Sequence, residues 1–265
     1  MDLLGYIAAV MIGISLGIIG GGGSILTVPV LVYIFGVDVV TATAYSLFIV
    51  GLTSLVGSVD NFRKNLVDYK MVLWFGIPSL IAVFCSRAFI VPSIPNEIFT
   101  VNEFVFTKSL FLMLLFAVLM VAAAISMIRS GKLTTPEIES STPRKLGFVL
   151  IEGSVVGVLT GLVGAGGGFL IIPALVLISK LPMKKAVGTS LVIIAIKSLI
   201  GFFGDHGLEN FDWTFLFTVS FFSILGIFIG GKLVSKIDGQ KLKPVFGWFV
   251  LIMGVFIIIK ELWAS

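Results

Sequence analysis

The chain carries one glycine-rich motif twice. Residues 17–29 read Gly-Ile-Ile-Gly-Gly-Gly-Gly-Ser-Ile-Leu-Thr-Val-Pro, and residues 161–173 read Gly-Leu-Val-Gly-Ala-Gly-Gly-Gly-Phe-Leu-Ile-Ile-Pro. Each copy interrupts an apolar segment and then restarts it. Because glycine lacks Cβ, the backbone can turn there with little steric strain. In helical membrane proteins, a matched pair of glycine-interrupted segments in two halves of the chain indicates a binding site.

The composition places the chain in a membrane. Hydrophobic residues make up 58% of the 265 residues, charged residues only 12%, and the mean hydropathy is +1.16. Soluble domains are about one quarter charged. Apolar runs of about 20 residues, the length that spans a bilayer, recur along this chain. The sequence therefore predicts an all-α polytopic membrane protein, with the lipid bilayer as its permanent partner.

Residue usage excludes several classes of function. The single cysteine, Cys85, excludes an internal disulfide and a cysteine-based metal cluster. The one histidine, His206, is expected to be solvated in an acidic loop, and one histidine does not make a metal site. The basic loops are too short to form a nucleic-acid-binding face. We therefore expect no metal, no cofactor and no nucleic-acid partner, and no catalytic constellation is visible that would make the chain an enzyme.

The two glycine motifs belong to a longer internal repeat. At a constant offset of 144 residues the halves align without a gap, and about 18 of the 57 aligned pairs beginning at Gly13 are identical. Such self-similarity indicates a duplicated structural unit. We predict a first repeat at 1–128, a cytoplasmic linker at 129–145 and a second repeat at 146–265, all within one integral membrane domain.

The charged loops predict the orientation of the chain, because basic loops remain cytoplasmic. The loops expected inside are 63–70, 129–145, 180–185 and 232–243. The loops expected outside lie around Asp38, at 97–103 and at 205–212. Both chain termini are then periplasmic.

This orientation makes the two repeats inverted. Segment 146–179 has both ends inside, so we expect a re-entrant helical hairpin that is broken at the glycine run. Segment 3–35 is expected to be the matching hairpin, entering from the opposite side. Three transmembrane helices follow each hairpin. The alternative is that each hairpin consists of two tilted helices that cross the membrane fully.

The glycine runs are the first candidate site. The second limb of each hairpin begins there, where the first N–H groups lack helical partners and carry positive dipole potential. Helix N-termini bind anions readily. The alternative is close helix packing, which we assign to the GxxxG pairs Gly13/Gly17 and Gly157/Gly161. The candidate substrate-binding residues of the runs are Gly22, Gly23, Ser24, Gly166, Gly167 and Gly168.

Lys197 is the second candidate, because a lysine at the centre of a transmembrane helix costs about 2.5–3.5 kcal/mol on insertion scales. Ser190 lies seven residues earlier on the same face of the helix. The repeat-related residues are Thr53 and Ser46. We predict that Ser46, Thr53, Ser190 and Lys197 face one cavity. The alternatives are that Lys197 pairs with a carbonyl between helices, forms an ion pair with Glu152, or snorkels.

Two further charged residues have open roles. Glu152 lies in the first limb of the second hairpin and could carry a proton or pair with a lysine; a position near the cytoplasmic interface explains it equally well. Arg87 lies near the outer end of its span. Snorkelling to the interface is the expected behaviour of Arg87, and a charge role in an exit vestibule is the alternative.

The duplicated motif resembles that of a known family. Gly-x-x-Gly-x-Gly-Gly with a proline shortly after, in two copies, is followed in each half by a Ser-Leu element, Tyr45-Ser46-Leu47 and Thr189-Ser190-Leu191. This pattern resembles the TauE/SafE sulfite exporter family over essentially the whole chain. The resemblance implies an anion transporter of the bacterial inner membrane, with sulfite, sulfoacetate and related organosulfonates as substrates. We add Thr189 to the candidate substrate-binding residues.

The expected function is therefore secondary transport that exports a small sulfur-containing oxyanion. Import of a similar anion is an alternative, and a membrane-embedded sulfur-handling protein is an alternative of a different class. The sequence leaves open whether the chain forms a homodimer.

The predicted orientation can be tested by labelling. A cysteine introduced at Ser140, in the linker, should react with an impermeant thiol reagent only after the cytoplasmic side has been opened. Reaction of this cysteine in intact cells would contradict the inverted arrangement.

Overall fold

A computed structural model describes residues 3–101, 104–130, 146–179, 181–205, 209, 211–234 and 239–264. In this part of the chain, six helical stretches are long and apolar enough to cross a membrane: Leu3–Tyr33, Val39–Arg63, Tyr69–Ser93, Lys108–Ser126, Met183–Phe202 and Trp213–Leu233. The prediction of an all-α polytopic membrane protein is confirmed. The linker residues 131–145, Ser140 among them, and His206 lie outside the described residues.

The first half consists of a hairpin and three spans. The hairpin comprises α1 (Leu3–Ile19), a 3₁₀ segment (Gly20–Leu26) and α2 (Thr27–Tyr33). The first span is α3 (Val39–Arg63). The second span is made of α4 (Tyr69–Trp74), α5 (Gly76–Cys85), a π-helical segment (Ser86–Ile90) and α6 (Val91–Ser93). The third span is α7 (Lys108–Ser130), and a β-hairpin of β1 (Glu97–Val101) and β2 (Phe104–Thr107) precedes it.

The second half follows the same order. Its hairpin comprises α8 (Leu146–Val163), a turn, α9 (Gly168–Pro173) and a π-helical segment (Ala174–Ile178). Three long helices follow: α10 (Met183–Phe202), α11 (Trp213–Val234) and α12 (Gly239–Ala264). The correspondence of elements follows the offset of 144 residues seen in the sequence. The inverted orientation of the two halves remains a prediction.

The turn in each hairpin depends on a glycine with positive φ. Gly20 has φ +69° and its repeat mate Gly164 has φ +72°, a conformation that residues with a Cβ rarely adopt. After Gly20 the chain folds back, so that Gly23 contacts the backbone of Leu16. A Cβ on Gly5, at the start of α1, would lie only 2.5 Å from the ring of Phe35, beyond the end of α2. The two ends of the first hairpin therefore lie side by side.

The first limb of each hairpin packs against a helix of the other half. In the first half α1 packs along α11, and in the second half α8, its repeat mate, packs along α5. At the centre α3 packs against α10, and at the periphery α7 packs against α12. The first limb of each hairpin is thus held mainly by a span of the other half.

Glycines allow these hairpins to pack closely. A Cβ on Gly13 would clash with the backbone of Ser223, and a Cβ on Gly157 would clash with the backbone of Ser79, the repeat mate of Ser223. Gly17 and Gly161 make the equivalent contacts one turn further on, with Ile227 and Ser86 respectively. The packing role predicted for these four glycines is confirmed.

A second contact is also duplicated, in the loops that lead into α4 and α11. The backbone N–H of Asp68 donates to Thr189 Oγ1 at 2.9 Å. The backbone N–H of Asp212, the repeat mate of Asp68, donates to the hydroxyl of Tyr45 at 2.8 Å. Tyr45 is the repeat mate of Thr189. Each loop is therefore anchored to the central helix of the other half.

The structure departs from the sequence expectations at two places. The segment between the second and third spans, expected to be an irregular loop, forms a β-hairpin in which Phe99 stacks on Phe106 at 4.7 Å between ring centroids. Alternating Phe, Val and Thr favour strands, a signal that the membrane pattern obscured. The last helix, expected at 245–259, runs from Gly239 to Ala264, because its lysines and glutamate extend the apolar span on both sides.

The duplicated loop contacts predict a matched effect on stability. Tyr45→Phe keeps the ring packing against Phe211 and Phe215 but leaves the N–H of Asp212 without its acceptor. The loss should cost about 1–3 kcal/mol and lower the melting temperature in detergent, and Thr189→Val should do the same at the other loop. Tyr69→Phe, at a tyrosine that is 62% exposed, is the control and should melt like the wild type. Equal melting of all variants would show that the loop contacts do not contribute.

Candidate functional site

The two glycine segments, residues 20–24 and 164–168, meet at the centre of the molecule. A Cβ on Gly168 would overlap the carbonyl of Gly21, and a Cβ on Gly21 would lie 2.9 Å from Cα of Gly168. All residues of the two segments are buried. The tips of the two hairpins are therefore in direct backbone contact, as expected if they contribute to one site.

Each glycine segment packs on the central helix of the other half. Gly164 contacts Thr43 of α3, and Gly166 contacts Val50, seven residues further along the same face. In the repeat-related contact, Gly20 packs on Val187 of α10, and Gly21 packs on Ile194.

Helix periodicity defines two rows of residues along these contacts. The α3 row is Thr43, Ser46, Val50 and Thr53, and the α10 row is Val187, Ser190, Ile194 and Lys197. Ser46 and Ser190 lie in the middle of their rows, between two residues that contact glycine. That Ser46, Thr53, Ser190 and Lys197 face one cavity stays a prediction.

Lys197 points into the tip of the second hairpin. Its side chain is 1% exposed, and its Nζ donates to Thr160 Oγ1 at 2.9 Å. The same Nζ would lie 3.0 Å from a Cβ on Gly167. Among the described residues no carboxylate lies within ion-pairing distance of Lys197. The expected alternatives of snorkelling and of an ion pair with Glu152 are therefore wrong: Thr160, the partner of Lys197, lies about 12 Å along α8 from Glu152 at 1.5 Å per residue.

Hydroxyl groups without hydrogen-bond partners surround the glycine segments. Ser198, next to Lys197 on α10, places its Oγ 3.4 Å from the Cβ position of Gly166. Ser15 Oγ contacts Gly23. In the part of the chain that the structure describes, the buried hydroxyls of the first hairpin, α3 and α10 that lack a partner belong to Ser15, Ser24, Thr27, Ser46, Ser54 and Ser198. A buried polar group without a partner costs about 1–3 kcal/mol. Such a cluster therefore favours a site that receives water or a polar ligand.

The other predicted residues have different surroundings. Thr53 donates to the carbonyl of Ile49 at 2.7 Å, and Ser190 donates to that of Val187 at 2.8 Å, so both hydroxyls retain acceptor capacity. Thr189 accepts from the backbone N–H of Asp68 and so anchors that loop. Glu152 is 8% exposed and lies in α8 where this helix packs on α5.

The expectation that Arg87 reaches the membrane interface is wrong. Arg87 does not snorkel: its side chain is fully buried and forms an ion pair with Asp205, with Nη2 2.7 Å from Oδ2. The π-helical segment Ser86–Ile90 carries the guanidinium inward, towards α3 and α8. Hydropathy placed Arg87 near the end of a helix, where lysine and arginine usually reach the interface, and gave no indication of the inward direction.

The two hairpins differ at the start of their second limbs. In the second hairpin α9 begins at Gly168 after three glycines with positive φ, Gly164, Gly166 and Gly167, as the broken-helix prediction requires. In the first hairpin a 3₁₀ segment, Gly20–Leu26, continues directly into α2, so the break is confined to Gly20.

Thr160, Ser54 and Ser198 were not among the candidate site residues predicted from the sequence. Ser54 and Ser198 are identical residues at the repeat offset of 144, and this identity could have identified both as candidates.

Comparison with known proteins agrees with this class of molecule. The family model "Sulfite exporter TauE/SafE" matches residues 5–257. A probable membrane transporter protein of Xylella fastidiosa (strain 9a5c) is 31% identical over 264 residues, which cover 96% of this chain and 94% of the relative. The probable membrane transporter protein YunE of Bacillus subtilis (strain 168) is 27% identical over 97% of this chain and 96% of its own. No solved structure gives a significant match.

Fold and site together define a polytopic membrane protein with two glycine-broken hairpins around a polar centre. The chain belongs to the TauE/SafE sulfite exporter family, as its sequence motif predicted. A probable membrane transporter protein of the archaeon Methanocaldococcus jannaschii, 27% identical over 94% of both chains, shows how widely such relatives occur.

The contact between the glycine segments predicts the effect of one methyl group. Gly168→Ala adds a Cβ that overlaps the backbone of Gly21, and no flexible side chain is available to move aside. Forced overpacking costs about 1–3 kcal/mol, so the variant should melt at a lower temperature in detergent. Gly147→Ala in α8, where no atom lies within 4 Å of the added Cβ, is the matched control. Equal melting of Gly168→Ala and the control would contradict the direct contact.

Proposed function

We propose that this protein is a secondary transporter that exports small sulfur-containing oxyanions, such as sulfite or sulfoacetate, across the inner membrane. The observation that carries the proposal is Lys197: a buried ammonium group held by a neutral hydroxyl, beside the glycine turn of a hairpin. Burying a charge without an ionic partner costs free energy, and an anionic substrate would supply that partner.

The surroundings of Lys197 suit a small oxyanion. Ser198, the next residue of α10, lies beside Gly166 with donor capacity to spare. Gly166 and Gly167 pack against the side chains of Val50 and Thr160, so a compact ligand would reach their N–H groups once these side chains move aside. Lys197 and the hydroxyls can therefore fix an anion with several oxygens through short, charge-assisted contacts. The substrate-binding residues of this proposal are Gly22, Gly23, Ser24, Ser46, Thr53, Gly166, Gly167, Gly168, Ser190 and Lys197, with Thr160 and Ser198 added.

Transport follows if the two halves form inverted repeats around this site. If each hairpin changes its position against the central helices α3 and α10, the site would open to one side of the membrane and then to the other. The membrane potential favours outward movement of an anion by about 2.3 kcal/mol per charge per 100 mV. Export therefore needs no coupling ion in this proposal, and both chain termini lie on the periplasmic side.

Import of a similar anion would use the same site in the opposite direction. Measuring the direction of flux under an imposed membrane potential distinguishes import from export.

A sulfur-handling membrane enzyme would need a reactive group at the glycine tips. Cys85 is an exposed thiol at the end of α5, so replacing it by serine should leave activity unchanged. Loss of all activity in Cys85→Ser would favour the enzyme.

The direct test is flux of radiolabelled sulfite, sulfate, sulfoacetate and taurine in proteoliposomes. Lys197→Met should weaken sulfite binding by about tenfold or more, because a hydrogen bond from a charged group contributes about 1.5–3 kcal/mol. The melting temperature without ligand should stay equal or rise, since an unpaired buried charge is removed. Lys184→Met, at an exposed lysine of the same helix, should bind and transport like the wild type. A lower melting temperature with an intact ligand-induced shift in Lys197→Met would refute the proposal.

A further inference from the structure

Arg87 is the second fully buried cation of the described chain, and it joins four elements. Its Nε donates to Asp205 Oδ2 at 2.7 Å. Its Nη1 donates to Thr43 Oγ1 at 3.0 Å and to the carbonyl of Gly161 at 3.4 Å. The guanidinium thus connects the second span to α3, to α8 and to the chain that follows α10.

Arg87 and Lys197 bind to consecutive residues of α8. Lys197 donates to the side chain of Thr160, and Arg87 donates to the carbonyl of Gly161. Both residues belong to the last turn of α8 before the glycine turn at Gly164. Thr43, which accepts from Arg87, is also the residue on which Gly164 packs. The two buried cations therefore lie on the same hairpin tip and not in separate regions.

Asp205 lies between Arg87 and the outer loops. Its side chain is 10% exposed, whereas that of Arg87 is 0% exposed. Asp205 follows three residues after the end of α10, the helix that carries Lys197. A movement of α10 that rearranges the surroundings of Lys197 therefore also pulls on the partner of Arg87.

Further charges continue from this pair towards the outer surface. Lys108, 9% exposed at the start of α7, lies within Coulombic range of Arg87, Asp205 and Asp38. Asp38 and Lys108 line a pocket of about 550 Å³, together with Glu97 and Thr107 of the β-hairpin. A continuous series of charged groups thus connects the hairpin tip to a pocket that opens beside the β-hairpin.

The ion pair does not use all the hydrogen-bond donors of the guanidinium. Nε and Nη2 both approach the same oxygen, Oδ2 of Asp205, and Nη2 makes no aligned hydrogen bond. An arginine fork is best matched by two acceptor oxygens in its plane. An oxyanion with three oxygens fits this fork better than the single oxygen that Asp205 presents.

We propose that Arg87 is a second anion-binding residue, on the outer side of Lys197, and that Asp205 occupies it as a gate until the transported anion displaces the carboxylate. This inference rests on the proposed function. An anion released from Lys197 would move past the end of α8 to Arg87, and Asp205, once displaced, would open the route towards the pocket at Asp38 and Lys108. The return of Asp205 to Arg87 would expel the anion outward and close the gate.

A purely structural ion pair would show different behaviour. Removing one member of a buried pair costs about 3–5 kcal/mol, whereas removing both together leaves no stranded charge. The double variant Arg87→Met/Asp205→Asn therefore separates stability from transport. The double variant Lys64→Met/Asp60→Asn removes an exposed ion pair at the end of α3 and serves as the matched control.

The experiment measures sulfite binding in detergent and sulfite flux in proteoliposomes for each variant. Arg87→Met/Asp205→Asn should bind sulfite at Lys197 within about threefold of the wild type but transport it at least about tenfold more slowly, the effect of one lost charged contact. The control should match the wild type in both. Binding and flux that both equal the wild type would overturn the gate and leave the proposed function standing. Absence of sulfite binding to the wild type would overturn both.

Asp205→Asn alone provides a second test. It strands the buried Arg87 and should melt lower than the wild type, so the affinity is measured on protein shown to be folded. The amide keeps the size of the carboxylate and loses its charge, so Arg87 is freed from competition. Sulfite affinity should rise by about fivefold or more, the equivalent of a weakened charge pair. An unchanged or lower affinity in Asp205→Asn would overturn the inference.

Discussion

The structure depends on a backbone contact between Gly21 and Gly168. Two hairpin tips can meet at the centre of the molecule only if neither brings a Cβ to the contact. Side chains would hold the segments several ångströms apart and would fill the space that the surrounding hydroxyls and Lys197 now share. Positive φ at Gly20 and Gly164 then turns each chain back along its own first limb. The central polar region is therefore a consequence of absent side chains more than of particular polar ones.

Contacts between the two halves constrain how the halves can move relative to each other. The first limb of each hairpin is held mainly by a span of the other half, and each loop that leads into α4 or α11 is anchored to the central helix of the other half. Relative motion of the halves must therefore move a hairpin against its glycine-lined contact or break a loop anchor. Each loop anchor needs only a hydroxyl that accepts from a backbone N–H, so different residues can provide it in the two halves. Tyr45 and Thr189 occupy equivalent positions and perform the same task with different side chains.

Much of this architecture could be predicted from the sequence. The glycine runs, the repeat offset and the apolar lengths predicted the hairpins and spans, and the offset correctly paired elements that turned out to make equivalent contacts. Lys197 was predicted to face the interior because a lysine at mid-helix is costly in lipid. Arg87 was wrongly expected to snorkel, since a sequence gives the distance of a residue from a helix end but not the direction of its side chain. Thr160 was missed because its importance comes only from the lysine that reaches it from another helix.

The ion pair between Arg87 and Asp205 also affects how the protein is made. The two residues are 118 positions apart in the chain, and synthesis at about 5–20 residues per second therefore separates them by roughly 6–24 seconds. During that interval Arg87 resides in the nascent first half without its carboxylate, and without the α8 carbonyl that it later contacts. The first half consequently cannot reach its final packing while it is being translated. The contacts of Arg87 with Asp205 and with the carbonyl of Gly161 therefore form only after the second half has been synthesised.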